Sequence, residues 1–305
     1  MRTVNADLYM HHQDKAALDA LKAIPGFTTV LKGFMKNFSE QQLHGVNMAT
    51  KLRLSKEQLP DLYNLLPPIC EKLGITEPEF YLEMNPNPNA YTYGDTKAFL
   101  TITSGLVECM NEDELKAVIA HECGHIACHH VLYHTMAEFI LQGLDSFIGL
   151  GIISLPLKLA LSGWQRMSEL SADRAAAIYM GGSEVVEDVM IRLSAGSKSY
   201  IKGINKELYM QQAKDYEELV NESGYNKVLQ FLANMNGTHP FNSVRCSEIH
   251  KWGQSDEFYR IIHDEIATPM QEESSAYDGP VCKSCGEKLN KFAIYCPRCG
   301  TKREM

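Results

Sequence analysis

The sequence predicts a mostly helical α+β protein with a small sheet and a separate metal-binding unit at its C-terminus. Apolar residues recur at helical spacing over much of the chain. Between residues 80 and 103, short segments rich in aromatic and β-branched residues predict a few strands. Near the C-terminus, two copies of Cys-x-x-Cys-Gly are typical of a small unit built around a metal ion.

Residues 1–74 are predicted to form an N-terminal helical region. Apolar residues between positions 18 and 34 recur at helical spacing on both sides of a break at Pro25-Gly26. A second helix is expected to run from residue 55 or 60 up to Gly74, because glycine readily ends a helix in the left-handed conformation.

The predicted sheet contains strands at residues 80–84 and 98–103. Between them, a turn cluster at residues 85–89 leads into a short strand at residues 90–93, which Gly94 closes. Proline cannot donate a hydrogen bond to a neighbouring strand. The prolines at the entry to this short strand therefore indicate a position at the edge of the sheet.

The next predicted helix begins at Asn111, whose side chain can cap it, with Glu114 in the capping-box position. This helix is expected to continue to about Tyr133. An apolar hairpin is expected at residues 139–161, followed by a further helix from about residue 164 to residue 180.

A His-Glu-x-x-His pattern, formed by His121, Glu122 and His125, lies inside the helix that Asn111 begins. Residues four apart lie about 40° apart around a helix, so both imidazoles can bind one metal ion. Glu122 would lie beside that ion and could take a proton from a zinc-bound water. The competing interpretation is two core histidines with a solvated glutamate. His129 and His130 are expected to pack in the core or to face water.

A catalytic zinc ion usually has three protein ligands and an open fourth position. His129 would lie about 6 Å along the helix from His125, too far to bind the same ion. Glu169 is the better candidate, because small residues between positions 172 and 177 would let its helix approach closely. Asp173 could accept a hydrogen bond from the outer N–H of a ligating histidine. A surface charge at Glu169, and an Asp173 paired with a neighbouring arginine, remain the alternatives.

The C-terminal unit is predicted to be a zinc ribbon at residues 281–305, preceded by an acidic linker at residues 254–280. Four thiolates at this spacing can enclose one tetrahedral zinc ion and leave no position for water, so this zinc would be structural. A redox-active cysteine pair is the alternative. The predicted ligands are Cys282, Cys285, Cys296 and Cys299.

Four separate motifs, in a fixed order, carry a family resemblance. They are Asn89-Ala90-Tyr91-x-x-Gly94; Thr103-Ser104-Gly105-Leu106, leading through Asp113-Glu114-Leu115 to His121-Glu122-x-Gly124-His125; Arg166-x-x-Glu169-x-x-Ala172-Asp173; and His239-Pro240 followed by Arg245. Over roughly residues 75–250, the chain resembles the HtpX and CAAX prenyl endopeptidase family of gluzincins.

The resemblance implies a zincin-like metallopeptidase core at residues 75–253. In this family, an edge strand holds extended substrate above an active-site helix and a glutamate-bearing helix. By the same resemblance, Glu122 would be the general base, and the ligands of a catalytic zinc ion would be His121, His125 and Glu169.

Further roles follow from the resemblance alone. His239 would contact the substrate carbonyl or the oxyanion, and Arg245 would position this region. The strand that contains Asn89, Ala90 and Tyr91 would pair with the substrate backbone.

Taken together, these patterns predict a zinc-dependent endopeptidase that hydrolyses extended or unfolded polypeptides, with one catalytic and one structural zinc ion. The alternatives are a catalytically inactive adaptor with a peptidase fold, and a zinc-ribbon binding protein. Membrane-embedded members of the family carry long apolar spans, whereas this chain has only the short hairpin at residues 139–161. It therefore resembles the soluble members.

The composition limits the expected partners and compartment. A formal net charge of −9 over 305 residues argues against a nucleic-acid-coating surface, which requires clustered Lys and Arg. The ribbon could bind a protein partner. The N-terminus lacks a continuous apolar run, and the nine cysteines form no dispersed framework, as expected for a reducing, cytoplasmic compartment. Peripheral membrane contact through residues 139–161 is the alternative.

Overall fold

The chain forms a mostly helical α+β structure with one four-stranded mixed sheet, as the sequence predicts. The computed structural model describes residues 3–94, 97–141, 155–196, 203–222, 241–263, 281–284 and 301. The helices are α1 (His12–Ala23), α2 (Phe27–Asn37), α3 (Glu40–Thr50), α4 (Pro60–Tyr63), α5 (Leu66–Leu73), α6 (Ser104–Cys109), α7 (Glu112–Ala127), α8 (Val131–Leu141), α9 (Leu155–Met180), α10 (Glu184–Ala195), α11 (Lys206–Glu222), α12 (Asn242–Gly253) and α13 (Asp256–Ile262). The strands are β1 (Leu52–Arg53), β2 (Glu79–Glu83), β3 (Ala90–Gly94) and β4 (Ala98–Thr103).

The sheet has the strand order β1-β2-β4-β3. Strands β2 and β4 are parallel, and β3 runs antiparallel to β4 with Thr92 opposite Leu100. The predicted edge position of the short strand is confirmed, because β3 pairs on one side only within the described residues. Asn89 accepts a hydrogen bond from Thr103 of β4. The alternation of an antiparallel ladder therefore directs the backbone of Thr92 towards the open edge.

The predicted break between the first two helices is confirmed at Gly26, whose φ of 92° requires the left-handed region. The predicted end of the fifth helix at Gly74 is also confirmed, with a φ of 68°. The single helix expected from residue 55 or 60 is wrong, because α4 and α5 are separate. Pro67 and Pro68 lie in the first turn of α5, where their missing N–H groups cost no helical hydrogen bond.

The N-terminal helices pack against the later ones. Leu21 of α1 and the two phenylalanines Phe27 and Phe34 of α2 share a buried cluster with Met136 of α8 and Trp164 of α9. Further residues of this region, Val4, Tyr9 and Leu66 among them, belong to the main hydrophobic core under the sheet. Residues 3–74 therefore contribute to the same two clusters as the central helices.

Helix α7 begins with the capping box that the sequence predicts. The side chain of Asn111 accepts a hydrogen bond from the Glu114 N–H, and the Glu114 carboxylate accepts one from the Asn111 N–H. The predicted continuation to Tyr133 is wrong, because the helix ends at Ala127. His129 adopts a φ of 58°, which turns the chain before α8 begins.

The apolar hairpin and the acidic linker are described only in part. Helix α9 begins at Leu155, earlier than predicted, and packs against α8, whereas residues 142–154 lie outside the described residues. No helix in the described part of the chain is both long and apolar enough to cross a membrane. The prediction of a loosely structured linker is wrong for Asp256–Ile262, which form α13. Ser255 caps this helix, and its Phe258 is buried in the main core.

The crossing of α7 and α9 lies at the centre of the main core. Gly124 of α7 faces Ala172 and Ala175 of α9. A Cβ atom at Gly124 would lie 2.6 Å from the Cβ of Ala175 and 3.1 Å from the Cα of Ala172. Such distances are too short for non-bonded carbon atoms. The glycine therefore sets how closely these two helices approach.

We expect Gly124→Ala to lower the free energy of unfolding by about 1–3 kcal/mol, because overpacking at the crossing outweighs the higher helix propensity of alanine. Urea denaturation of both proteins measures the difference.

Gly163→Ala on α9 is the matched control. The nearest atom to a Cβ at Gly163 is the Arg166 Nη2 at 3.8 Å, an ordinary contact. This substitution should leave stability unchanged or raise it by up to about 1 kcal/mol. Equal effects of the two substitutions would show that α7 and α9 do not require glycine at their crossing.

Candidate metal centre

Two histidines of α7 and a glutamate of α9 converge in the core. His121 Nε2 lies 3.4 Å from Glu169 Oε2, and His125 Nε2 lies 3.4 Å from Glu169 Oε1. One ligand atom from each of the three residues lies within 4.8 Å of the others. All three side chains are buried. The structure thus brings together the three residues that the sequence predicts as ligands of the catalytic zinc.

The donor set and its spacing fit a zinc ion. Zinc is typically bound by imidazole nitrogen and carboxylate oxygen in tetrahedral geometry. Two ligands at about 2.1 Å from a tetrahedral ion lie about 3.4 Å apart. The two nitrogen-to-oxygen distances to Glu169 have this value. A carboxylate between two imidazoles with such spacing can hold a divalent cation in the buried site.

Glu122 lies next to this cluster and contacts the sheet. Its Oε2 accepts a hydrogen bond of 2.8 Å from the Thr92 hydroxyl of the edge strand β3. Glu122 is 2% exposed. Sequence reasoning did not identify Thr92, because this contact joins residues 30 positions apart on a strand and a helix.

Asp173 and Arg245 lie behind His121. Asp173 Oδ1 is 2.9 Å from His121 Nδ1, and the Arg245 guanidinium donates to both oxygens of Asp173 at 2.6 and 2.8 Å. Arg245 Nη1 also lies 3.1 Å from Glu169 Oε2. One arginine from α12 therefore joins the carboxylate behind His121 to the carboxylate of the cluster. The alternative pairing of Asp173 with Arg166 or Arg174 is absent from the described contacts.

The pKa values of His121, Asp173 and His125 are set by burial and by the charged groups in contact with them. Burial opposes the charge on His121, but the carboxylates of Asp173 and Glu169 outweigh burial and raise its pKa to about 9. Burial also opposes the charge on Asp173, yet Arg245 holds the pKa of this carboxyl below its ordinary value. For His125, burial dominates and lowers the pKa, with Glu169 opposing the shift.

His130 is the functional candidate that sequence reasoning missed. It packs in the core, one of the two expected alternatives, and is 1% exposed. The sequence does not indicate its two polar partners, His125 and Asp14. A helix that continued past residue 127 would direct His130 away from His125, so the predicted helix end hides this contact. Residues five apart lie on different faces of a continuous helix, so the spacing of His125 and His130 does not indicate that their side chains meet.

The predicted substrate strand is part of β3 and the turn before it. Asn89 and Ala90 line a cavity of about 250 Å³ that also reaches His121 and Glu122. Tyr91 points away from this cavity, and its hydroxyl donates to Glu83. The cavity wall is otherwise mostly apolar, formed by Leu106, Val118, Val186, Val189, Met190 and Leu193.

Several predicted site residues lie outside the described residues. They include His239 and three of the four predicted ribbon ligands, Cys285, Cys296 and Cys299. Cys282 is described and buried. The zinc ribbon and the oxyanion role of His239 therefore stay predictions.

Three comparisons relate this chain to known proteins. The family model "Peptidase family M48" matches residues 58–253. The plastoglobule-localized metallopeptidase 48, chloroplastic, of Arabidopsis thaliana is 31% identical over 264 residues, which cover 86% of this chain and 76% of the relative. A protease HtpX homolog of Campylobacter curvus is 26% identical over 232 residues, covering 66% of this chain and 78% of the relative.

Among solved structures, the chain is similar to the crystal structure of S. mikatae Ste24p, with a TM-score of 0.37 and 17% sequence identity. The similarity covers 77% of this chain and 64% of that chain, so this chain spans less than two thirds of that protein.

We expect Glu169→Ala to abolish tight metal binding at the cluster, because two imidazoles alone leave the coordination sphere incomplete. Equilibrium dialysis against zinc, followed by elemental analysis, measures the loss relative to the unsubstituted protein.

Glu187→Ala serves as the control, since Glu187 is another buried glutamate, bound by Ser183 and His250 rather than by the cluster. It should leave zinc binding at the cluster unchanged. Full retention of zinc by the Glu169→Ala protein would exclude this residue as a ligand.

Proposed function

Because this chain belongs to peptidase family M48, and is therefore a metallopeptidase and a hydrolase, we propose that it is a zinc endopeptidase acting on extended or unfolded polypeptides. The observation that carries the proposal is the buried convergence of His121, His125 and Glu169, with Glu122 beside them. A metal-holding cluster next to a carboxylate and a cavity meets the requirements for metal-assisted hydrolysis.

In this proposal, the two imidazoles and the Glu169 carboxylate would hold the zinc ion. Zinc in such a site supplies Lewis-acid chemistry and a water nucleophile at neutral pH. Glu122 takes the proton from the attacking water and passes it to the leaving amine. The hydrogen bond from Thr92 to Oε2 supports this role, since it fixes the rotamer of the Glu122 carboxylate.

The edge strand β3 is proposed to bind the substrate backbone. Its Thr92 backbone faces the open edge of the sheet, and the Thr92 hydroxyl contacts Glu122. An added strand there would run past the general base. This geometry favours an extended polypeptide over a folded one, because pairing at a sheet edge requires an extended backbone.

Two further parts of the proposal rest on the sequence. His239 is proposed to contact the substrate carbonyl or the oxyanion, and the four ribbon cysteines are proposed to hold a structural zinc ion that could support a protein partner. Arg245 is proposed to keep the region behind His121 in place, which its bonds to Asp173 support. The reducing, cytoplasmic compartment stays a prediction.

We expect Glu122→Gln to retain zinc and to lose proteolysis by about 10²–10⁴-fold, because the amide cannot accept the proton from water. Cleavage of denatured casein by matched amounts of the two proteins, with zinc content measured on the same samples, checks both statements.

The unsubstituted protein with an added chelator and the Glu187→Gln variant complete this comparison. The chelator should abolish cleavage, and Glu187→Gln should preserve it. Substantial cleavage by a clean Glu122→Gln preparation would remove Glu122 from the proposed role.

The apolar cavity is proposed to accept a large apolar side chain next to the bond that is cleaved. We expect Val189→Phe, which fills the cavity from α10, to lower kcat/KM about 10-fold or more for peptides with leucine or phenylalanine there. Peptides with alanine at that position should be affected less. A uniform loss across both peptide sets would contradict the assignment, provided that zinc content is unchanged.

A further inference from the structure

A line of three buried side chains runs from His125 away from the metal cluster into the N-terminal helix. His125 Nδ1 lies 3.1 Å from His130 Nδ1, and His130 Nε2 lies 2.9 Å from Asp14 Oδ2. The exposed fractions are 4% for His125, 1% for His130 and 1% for Asp14. These three polar groups are thus buried in contact with one another.

The turn after α7 builds the first contact. The N–H of His130 donates to the carbonyl of His125, and the N–H of His129 donates to the carbonyl of Ile126. Together with the left-handed His129, these bonds form a Schellman motif at the helix end. The motif folds His130 back against the helix, so its ring reaches the outer nitrogen of His125.

The packing of α1 on α9 builds the second contact. Asp14 Oδ1 accepts a 3.0 Å hydrogen bond from Trp164 Nε1, and Oδ2 accepts one of 2.6 Å from the Ser171 hydroxyl. Ser171 in turn accepts from the backbone N–H of His11. The His130 imidazole is the third side-chain donor at this carboxylate. Three donors directed at one buried carboxyl favour its ionised form.

The pKa of Asp14 agrees with this arrangement. Burial raises it, but the hydrogen bonds from His130, Ser171 and Trp164 outweigh burial and hold the pKa below its ordinary value. An ionised carboxylate is an acceptor only. His130 Nε2 must therefore carry the proton in its contact with Asp14.

The remaining proton positions follow from metal binding. When His125 binds a metal ion through Nε2, its Nδ1 carries the proton and donates to His130 Nδ1, which must then be an acceptor. The Nε2 lone pair of His125 is then directed at Glu169 and the cluster. With the opposite direction, in which His130 donates, neutral His125 would carry its proton on Nε2 and could not bind a metal ion there.

We propose that Asp14 and His130 are positioning residues that fix the tautomer and ring orientation of His125 as a metal ligand. The proposal rests on the proposed function, since it needs a metal ion at the cluster. His121 has the corresponding carboxylate directly at its Nδ1, in Asp173. His125 reaches its carboxylate through one intervening imidazole.

Asp14 lies outside residues 58–253, the part of the chain that matches the family model. The carboxylate behind His125 thus comes from an N-terminal segment beyond that match. Helix α1 thereby contributes a carboxylate to the surroundings of the metal centre.

The proposal is tested with Asp14→Asn in the full chain, because the amide keeps the shape of the side chain but offers one acceptor oxygen in place of two. We expect the zinc dissociation constant, measured by competition with a chromophoric chelator, to rise about 10- to 100-fold. The visible absorption spectrum of the Co²⁺-loaded protein should also change, since it reports ligand geometry.

Glu187→Gln is the matched control. It makes the same carboxylate-to-amide change at a buried residue that also has several polar partners: hydrogen bonds to Ser183 and His250, and an ion pair with Lys206 at 3.8 Å. It should leave the dissociation constant and the Co²⁺ spectrum unchanged even where it lowers stability. An Asp14→Asn protein that binds zinc and Co²⁺ like the unsubstituted protein would overturn the positioning role and leave the peptidase proposal standing.

A second measurement needs no substitution and decides the matter if Asp14→Asn does not fold. In the zinc-loaded, ¹⁵N-histidine-labelled protein, long-range proton–nitrogen correlations should show a proton on Nε2 of His130 and on Nδ1 of His125. A proton on Nδ1 of His130 would overturn the inference. If the Co²⁺ spectrum of the unsubstituted protein equals that of a protein in which both His121 and His125 are replaced by alanine, the cluster binds no metal, and the proposed function fails together with this inference.

Discussion

The close crossing of α7 and α9 is the constraint on which the site depends. Glu169 reaches the two imidazoles of α7 only because the backbones approach without a side chain at Gly124. Ala172 and Ala175 provide the small surface opposite. A carboxylate side chain is short, so a wider helix separation would take its oxygens out of bonding range of both nitrogens. Packing and metal chemistry are therefore set by the same few residues.

This arrangement buries several charges, which requires compensation. An unpaired buried carboxylate or guanidinium costs several kcal/mol, but paired groups with further hydrogen bonds are tolerated. Arg245 lies between Asp173 and Glu169 and bonds to both. Asp14 has three side-chain donors from different elements. Each buried carboxylate of the site is thus held by groups that also fix its orientation, which favours a cluster organised before any ligand binds.

The N-terminal region has a larger part in this organisation than its position in the chain indicates. Trp164 and Ser171 of α9 bond to Asp14 of α1, and α9 also carries Glu169. The same helix therefore contacts the ligand cluster on one face and the N-terminal helix on another. The apolar contacts of Leu21 and Phe27 with α8 and α9 hold α1 and α2 in place.

Features set by short-range geometry could be predicted from the sequence. Two histidines four residues apart share a helix face, and Asn111 with Glu114 forms a capping box, because both depend on one helical turn. The edge position of β3 followed from prolines before it. Glu169 was found because small residues follow it on a second helix, although the crossing itself is a tertiary fact.

Only the tertiary structure decided the contacts between residues distant in the chain. Thr92 at Glu122 and Asp14 at His130 join elements whose relative placement no local pattern encodes. The sequence does not indicate the helix end at Ala127, because the residue in the left-handed conformation is His129 and not the glycine that usually occupies it. The helical pattern of apolar residues therefore predicts a helix as far as Tyr133. The sequence by itself determined that His121 and His125 could bind one metal ion, since their spacing on one helix is local. The fold decided which polar groups support them, since burial brings together residues that the chain keeps apart.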